Sequence, residues 1–273
     1  GAAEPELLDV MLPAREVGRM ASAGHLIGVI DTTTFLLPQE PDRNTLRVVE
    51  RTPDGGLAEA SSYAPDGEIW AVEAGDGYVA AAIYDEAIEF HSVEVLDLTD
   101  PSSPVVGTRL GAEVSIVHET LEAHFDSHGN RLYFSHQDSD AILIHEVTAG
   151  RARQLAAHHP GGHLINFAVA SKDVLAVAVR TGGDDWIEIV DTRDPSSPYV
   201  AGTFAIQEPA DHVLTLDAEG HRVAVLCEDA DGSEGSTTFS FVVDVSDPAD
   251  PILALDGLLG GDWLALGAGI LHT

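Results

Sequence analysis

Histidines and carboxylates are the side chains of this chain with the most chemical capacity, and both are unevenly placed. Eight of the 13 histidines fall between positions 118 and 163: His118, His124, His128, His136, His145, His158, His159 and His163. Clustered imidazoles can bind Zn²⁺ or Cu²⁺. Their spacing matches no metal motif, and the plainer reading is a set of turn and strand residues that do not converge. A second set is defined by position. Glu68, His118, Glu119, His163, Asp211, His212 and Asp262 each stand where a turn leads into an apolar run. Carboxylates and imidazoles gathered at one mouth could hold a cation or polarise a water; the plainer reading is polar turns in an acidic chain. A third set is Asp229, Asp231 and Glu234, whose alternating acids around Gly232 resemble a calcium loop without the ligand set of an EF-hand. Thr181-Gly182-Gly183-Asp184-Asp185 is a weaker loop of the same kind. The candidate cofactors are therefore Ca²⁺ or a transition metal, and the residues select neither.

A repeated stretch must position these residues. Val93-Glu94-Val95-Leu96-Asp97-Leu98-Thr99-Asp100-Pro101-Ser102-Ser103-Pro104 returns as Ile187-Glu188-Ile189-Val190-Asp191-Thr192-Arg193-Asp194-Pro195-Ser196-Ser197-Pro198. It returns again as Phe241-Val242-Val243-Asp244-Val245-Ser246-Asp247-Pro248-Ala249-Asp250-Pro251. Each copy opens on a nearly continuous run of Val, Ile, Leu or Phe, the composition of a strand covered on both faces. The Asp-Pro that follows is turn chemistry. Aspartate can bond its own backbone two residues on, and proline presets φ for a type I turn. The second proline (Pro104, Pro198 or Pro251) lacks an N–H and belongs at the start of an outer, edge strand. Asp97, Asp191 and Asp244 read as structural positions that bond local backbone at the strand end.

Weaker copies end on Glu50 and Glu146, so the five acids are spaced 45 to 53 residues apart. That period, with several strands per unit, is the pattern of a β-propeller. The expectation is all-β: a six-bladed propeller of four-stranded antiparallel blades forming a single domain over residues 1–273. The blades fall at 17–62, 69–110, 119–157, 164–205 and 212–256, with the last made of 262–273 plus an N-terminal strand at 6–12. An N-terminal strand that completes the last blade leaves the ring without a seam. The last blade is incomplete, and a continuation past Thr273 is expected. Gly75-Asp76-Gly77, Ser127-His128-Gly129-Asn130 and Glu219-Gly220 are hairpin signals between the first two strands of their blades.

The strand ending in Asp, followed by Ser/Thr-Asp-Pro-x-x-Pro, resembles the LVIVD repeat of bacterial and archaeal surface propellers. Copies 93–104, 187–198 and 241–251 carry the resemblance. It implies a secreted or cell-surface propeller and no particular reaction, because the motif carries no catalytic residue. The expected function is a non-enzymatic scaffold for a protein or a small ligand. The rival is a metal-dependent hydrolase or oxidoreductase with its site at the mouth of the central channel.

Charge narrows the partners. Thirteen basic residues against 46 acidic ones give a net charge of −33, with a single lysine, Lys172. Such a surface repels nucleic acid. It suits either high salt, where screening shortens to about 3 Å at 1 M, or the binding of Ca²⁺ and basic partners. No 18-residue apolar run is present to span a membrane as a helix. The chain is expected to be monomeric. The one cysteine, Cys227, sits in a core-type strand and reads as a buried, inert thiol.

Overall fold

A computed structural model describes residues 16–23, 26–32, 45–51, 56–85, 90–112, 124–136, 139–206, 212–229, 237–259, 265–267 and 270–272. Among them every regular element is a strand. The first sheet comprises β1 (Glu16–Ala23), β2 (Leu26–Thr32), β3 (Thr45–Arg51) and β4 (Leu57–Tyr63). The second comprises β5 (Glu68–Gly75), β6 (Tyr78–Asp85), β7 (Phe90–Asp97) and β8 (Val105–Ala112). The third comprises β9 (His124–His128), β10 (Arg131–His136), β11 (Ser139–Thr148) and β12 (Arg151–His158). The fourth comprises β13 (His163–Ser171), β14 (Val174–Thr181), β15 (Asp184–Asp191) and β16 (Tyr199–Ala205). The fifth comprises β17 (His212–Glu219), β18 (Arg222–Asp229), β19 (Thr237–Asp244) and β20 (Ile252–Leu259), and a two-stranded sheet follows with β21 (Ala265–Gly267) and β22 (Ile270–His272).

The order within each sheet is the order of the chain, so each is a four-stranded meander in the manner of a propeller blade. The described residues thus hold five complete blades and one two-stranded sheet, rather than six complete blades. The expected strand at 6–12 lies outside the described residues. So does 119–123, where the third blade was expected to begin.

The chain forms two compact units. One is Gly1–Leu132 with Glu146–Arg153, and the other is Tyr133–His145 with Gln154–Thr273. In the first unit, β1 packs on β5 and β5 on β9; in the second, β13 packs on β17 and β17 on β21. First strand meets first strand each time, which is propeller packing. In the second, fourth and fifth blades the third strand is buried on both faces, as its nearly continuous apolar run requires. Leu96 and Val95, Ile189 and Val190, and Val242 and Val243 are all buried.

The repeated turn is held the same way in three blades. Asp97 Oδ1 accepts the Thr99 N–H at 2.9 Å, Asp191 Oδ1 the Arg193 N–H at 2.9 Å, and Asp244 Oδ1 the Ser246 N–H at 2.8 Å. Three residues further on, Asp100, Asp194 and Asp247 close the Asp-Pro turn. Their carbonyls accept the N–H groups of Ser103, Ser197 and Asp250 at 3.0–3.1 Å. The residue after each repeat acid then ties the strand end to the hairpin between strands one and two. Leu98 N donates to Gly77 O, Thr192 N to Asp173 O and Val245 N to His221 O, at 2.8–2.9 Å; Val147 N donates to Asn130 O at 2.7 Å in the copy ending on Glu146. Pro104, Pro198 and Pro251 stand immediately before the outer strands β8, β16 and β20.

Neighbouring blades meet through shared apolar clusters, with small residues where backbones approach closely. Gly150, at φ +67°, lies against Asp97, and a Cβ there would come within 2.8 Å of the Asp97 backbone. A side chain at this position would push the neighbouring blade away.

Candidate functional site

Buried charge is the unexpected feature of these blades. Glu94 and Glu188 occupy the same place, three residues before the repeat acid, and both are buried within apolar strands. Each reaches the outer strand of the preceding blade. Glu94 accepts the Tyr63 hydroxyl from the end of β4 and pairs with Arg109 of its own blade. Burial and Glu94 push the Tyr63 phenol above its ordinary range, so it stays a donor. Glu188 Oε1 accepts the Gly161 N–H at 2.9 Å, and its Oε2 lies 3.3 Å from His158 Nε2 at the end of β12. Burial alone would raise the Glu188 carboxyl. Hydrogen bonds from His158, Gly161 and Trp186, together with the His158 charge, outweigh it and hold the group below the usual carboxylate value.

A third buried carboxylate has a different setting. Arg180 and Asp185 pair across β14 and β15 beside the turn that joins them. Arg180 Nε donates to Asp185 Oδ1 at 2.6 Å and Nη2 to Oδ2 at 2.7 Å. The fork geometry is the one that guanidinium and carboxylate favour. The next blade supplies two further contacts to Oδ2. Val213 N donates to it at 2.7 Å, and His212 Nδ1 faces it at 3.9 Å. The Asp185 side chain is fully buried, whereas the side chains of Arg180 and His212 are each 35 % exposed. His163, at the start of β13, stands beside Arg180 in register.

Two of the seven residues expected at the strand mouths therefore have described side chains. His163 and His212 begin the first strands of adjacent blades. Glu68 begins β5, but its side chain is not among those described, and His118, Glu119, Asp211 and Asp262 lie outside the described residues. Asp229 ends β18 without a described side chain, and Asp231 and Glu234 lie outside. Among the described residues, no group of three or more His, Cys, Asp or Glu is arranged to hold a metal ion. The weaker calcium-like loop at 181–185 includes Asp185, whose carboxylate is engaged by Arg180 and Val213.

Two of the clustered histidines have individual settings. His145 is buried in a stack on Phe134, with ring centroids 5.0 Å apart, and its Nδ1 meets no hydrogen-bond partner. Burial pushes its pKa down to about 4, so it is neutral at pH 7. His158 is engaged by Glu188. Cys227 is buried, and burial followed by the nearby Asp185 charge pushes its thiol up to about 12. It is no nucleophile at neutral pH.

Sequence reasoning passed over Glu94, Glu188 and Arg180, and read Asp185 only as part of a weak calcium-like loop. A signal for the first two was present: an acid recurring at one place inside an otherwise apolar run in two copies of the repeat.

No family model matches the chain, and no curated protein matches it in sequence. Solved structures do resemble it. A functionally unknown protein from Desulfotomaculum acetoxidans is similar with a TM-score of 0.59 at 14% identity, over 90% of this chain and 72% of that one. A protein from Lactobacillus plantarum gives 0.57 at 13% identity, over 87% of this chain and 69% of that one. A protein from Bacteroides uniformis, described as a "putative 6-phosphogluconolactonase", gives 0.57 at 12% identity, over 88% and 69%. These likenesses show the fold: an all-β chain of four-stranded antiparallel blades in a propeller arrangement.

Proposed function

We propose that this chain is a six-bladed propeller scaffold that works at the cell exterior, binding a protein or a small ligand through the loops at its strand ends. In this reading residues 6–12 complete the last blade. The observation that supports it is the recurrent tie in the 97, 191 and 244 copies, an aspartate on its own turn with the next N–H on the hairpin. Such a frame is rigid, and the segments between blades are left to vary with the partner. The resemblance to LVIVD-repeat surface propellers supports the location. The net charge of −33 supports adaptation to salt. The unfolding midpoint should then rise by several degrees as KCl is raised from low to molar concentration, because screening relieves self-repulsion. A midpoint that falls, or does not move, would count against it.

A second reading is favoured by one feature. Asp185, Arg180 and His212 bring a buried carboxylate, a guanidinium and a half-exposed imidazole together where two first strands begin. Residues of these types can serve a hydrolase, and a structural neighbour is described as a "putative 6-phosphogluconolactonase". Elemental analysis of the protein before any chelator is added, with a screen of ester and lactone hydrolysis, separates the two readings. The scaffold reading expects no turnover. Turnover that survives purification to homogeneity would replace it with the hydrolase, and a stoichiometric transition metal would make that hydrolase metal-dependent.

A further inference from the structure

The arrangement at the start of β17 goes further than a list of suitable side chains. The Asp185 side chain is fully buried, and Arg180 and the Val213 N–H hold both its oxygens. Its Oδ2 faces the inner nitrogen of His212. That nitrogen is itself buried and without a hydrogen-bond partner, although 35 % of the side chain is exposed. The ring thus buries its Nδ1 edge while part of the side chain reaches solvent. A carboxylate facing Nδ1 favours the tautomer with the proton on Nδ1, which leaves the lone pair on Nε2. The 3.9 Å separation is long for a hydrogen bond, and unliganded catalytic pairs are often this loose before they tighten around substrate. Arg180 uses Nε and Nη2 on the same carboxylate, which directs its Nη1 away from Asp185.

We propose that His212, oriented by Asp185 and assisted by Arg180, is a general base for the hydrolysis of small carboxylic esters or lactones. The proposal rests on the hydrolase reading and names its residues. His212 Nε2 takes a proton from water as the water oxygen bonds to the carbonyl carbon. The carbonyl π pair moves onto oxygen, where the Arg180 guanidinium stabilises it. The tetrahedral intermediate collapses with cleavage of the acyl carbon–oxygen bond, and the departing alkoxide takes the proton back from Nε2. One water is consumed, one ester bond is broken, and nothing is oxidised or reduced. His212 is the catalytic residue, and Asp185 is a positioning residue.

The experiment measures hydrolysis of p-nitrophenyl acetate and a panel of γ- and δ-lactones by the full chain and by His212→Gln. His212 begins a strand and is partly exposed, so the variant should keep the wild-type unfolding midpoint. The expected result is turnover by the wild type and a fall in kcat of about 10²- to 10⁴-fold in the variant, with KM little changed. Turnover that persists in His212→Gln would overturn the role of His212 and leave the hydrolase reading standing. Absence of turnover by the wild type across the panel would overturn both. The positioning role of Asp185 is read separately, without a variant, from the ¹⁵N shifts of the His212 ring at pH 8. The Nδ1–H tautomer is expected there, and the Nε2–H tautomer would overturn the orientation by Asp185.

Discussion

Two joints between blades solve one packing problem with opposite chemistry. Tyr63 lies opposite Leu46 in its blade, and Phe204 lies opposite Ile187, so the two aromatic residues hold equivalent places in the repeat. Each meets the third strand of the following blade, three residues before the repeat acid. Tyr63 meets Glu94 there, whereas Phe204 meets Phe241 with ring centroids 5.9 Å apart. One joint is a buried carboxylate tied to a phenol and an arginine; the other is a pair of rings in an apolar cluster. Nearby in the same two joints, Ser61 Oγ donates to Pro101 O at 2.5 Å, while Gly202 lies so close to Pro248 O that a Cβ would fall 2.4 Å from it. The backbone arrangement tolerates either solution. Polar contacts are therefore not what builds a blade interface, and their cost appears only when they are left incomplete.

That distinction predicts a large effect from one half of the pair and a small effect from both. Glu94→Ala strands the Tyr63 hydroxyl and empties a buried site, so it should cost about 3–5 kcal/mol in denaturant unfolding. Replacing both partners, Tyr63→Phe with Glu94→Phe, copies the other joint. Arg109 is 58 % exposed and can turn to water. The double variant should recover most of the loss and end within about 2 kcal/mol of the wild type. A double variant as unstable as Glu94→Ala would show that the joints are not interchangeable. Glu188 lies between the two cases. It faces Thr203 across its own blade, where Glu94 faces Arg109, and takes His158 and Gly161 instead.

A second contrast within the repeat concerns the residue before the acid. It is Val49, Leu96, Val190 or Val243 in four copies and His145 in the other, all of them buried. The His145 pKa is lowered from 6.5 to about 4 by burial. Between those values the unfolded chain binds a proton that the folded chain does not, so folding loses stability as pH falls. The contribution is fully present above pH 6.5 and is lost on acidification toward 4, a loss of about 2–4 kcal/mol. His145→Leu restores the residue type of the other copies. Unfolding free energies between pH 7 and 4 should fall less steeply in the variant, and parallel curves would sink the assignment.

Much of the blade pattern was legible because it depends on local chemistry that repeats. Asp-Pro turns, prolines ahead of outer strands and nearly continuous apolar runs each dictate a conformation within a few residues. The candidate site was legible only in part. His163 and His212 were singled out because turns that open first strands must share one end of a blade. Asp185 was read as a loop acid because the two glycines beside it suggest a loop, yet it pairs with Arg180 five residues earlier across a tight hairpin. Its other partner, Val213, is 28 residues away in the next blade. Glu94 and Tyr63 are 31 residues apart and also in different blades. No local rule couples such residues; only the packing of one blade on the next brings them together.

The smallest expected effect tests how much the apolar joint depends on its geometry. Phe204 and Phe241 are tilted by 36°, within the offset and tilted arrangements that aromatic pairs prefer. A double-mutant cycle with Phe204→Leu and Phe241→Leu should give a coupling of about 0.5–1.5 kcal/mol, the part of the contact that exceeds simple burial. The same cycle on Tyr63→Phe and Glu94→Gln should give a larger coupling, because there each single variant leaves a buried polar group short of a partner. If the ring pair coupled as strongly as the phenol and carboxylate, apolar and polar joints would be equally specific. The distinction between a joint that only fills space and one that also fixes its partner would then fail.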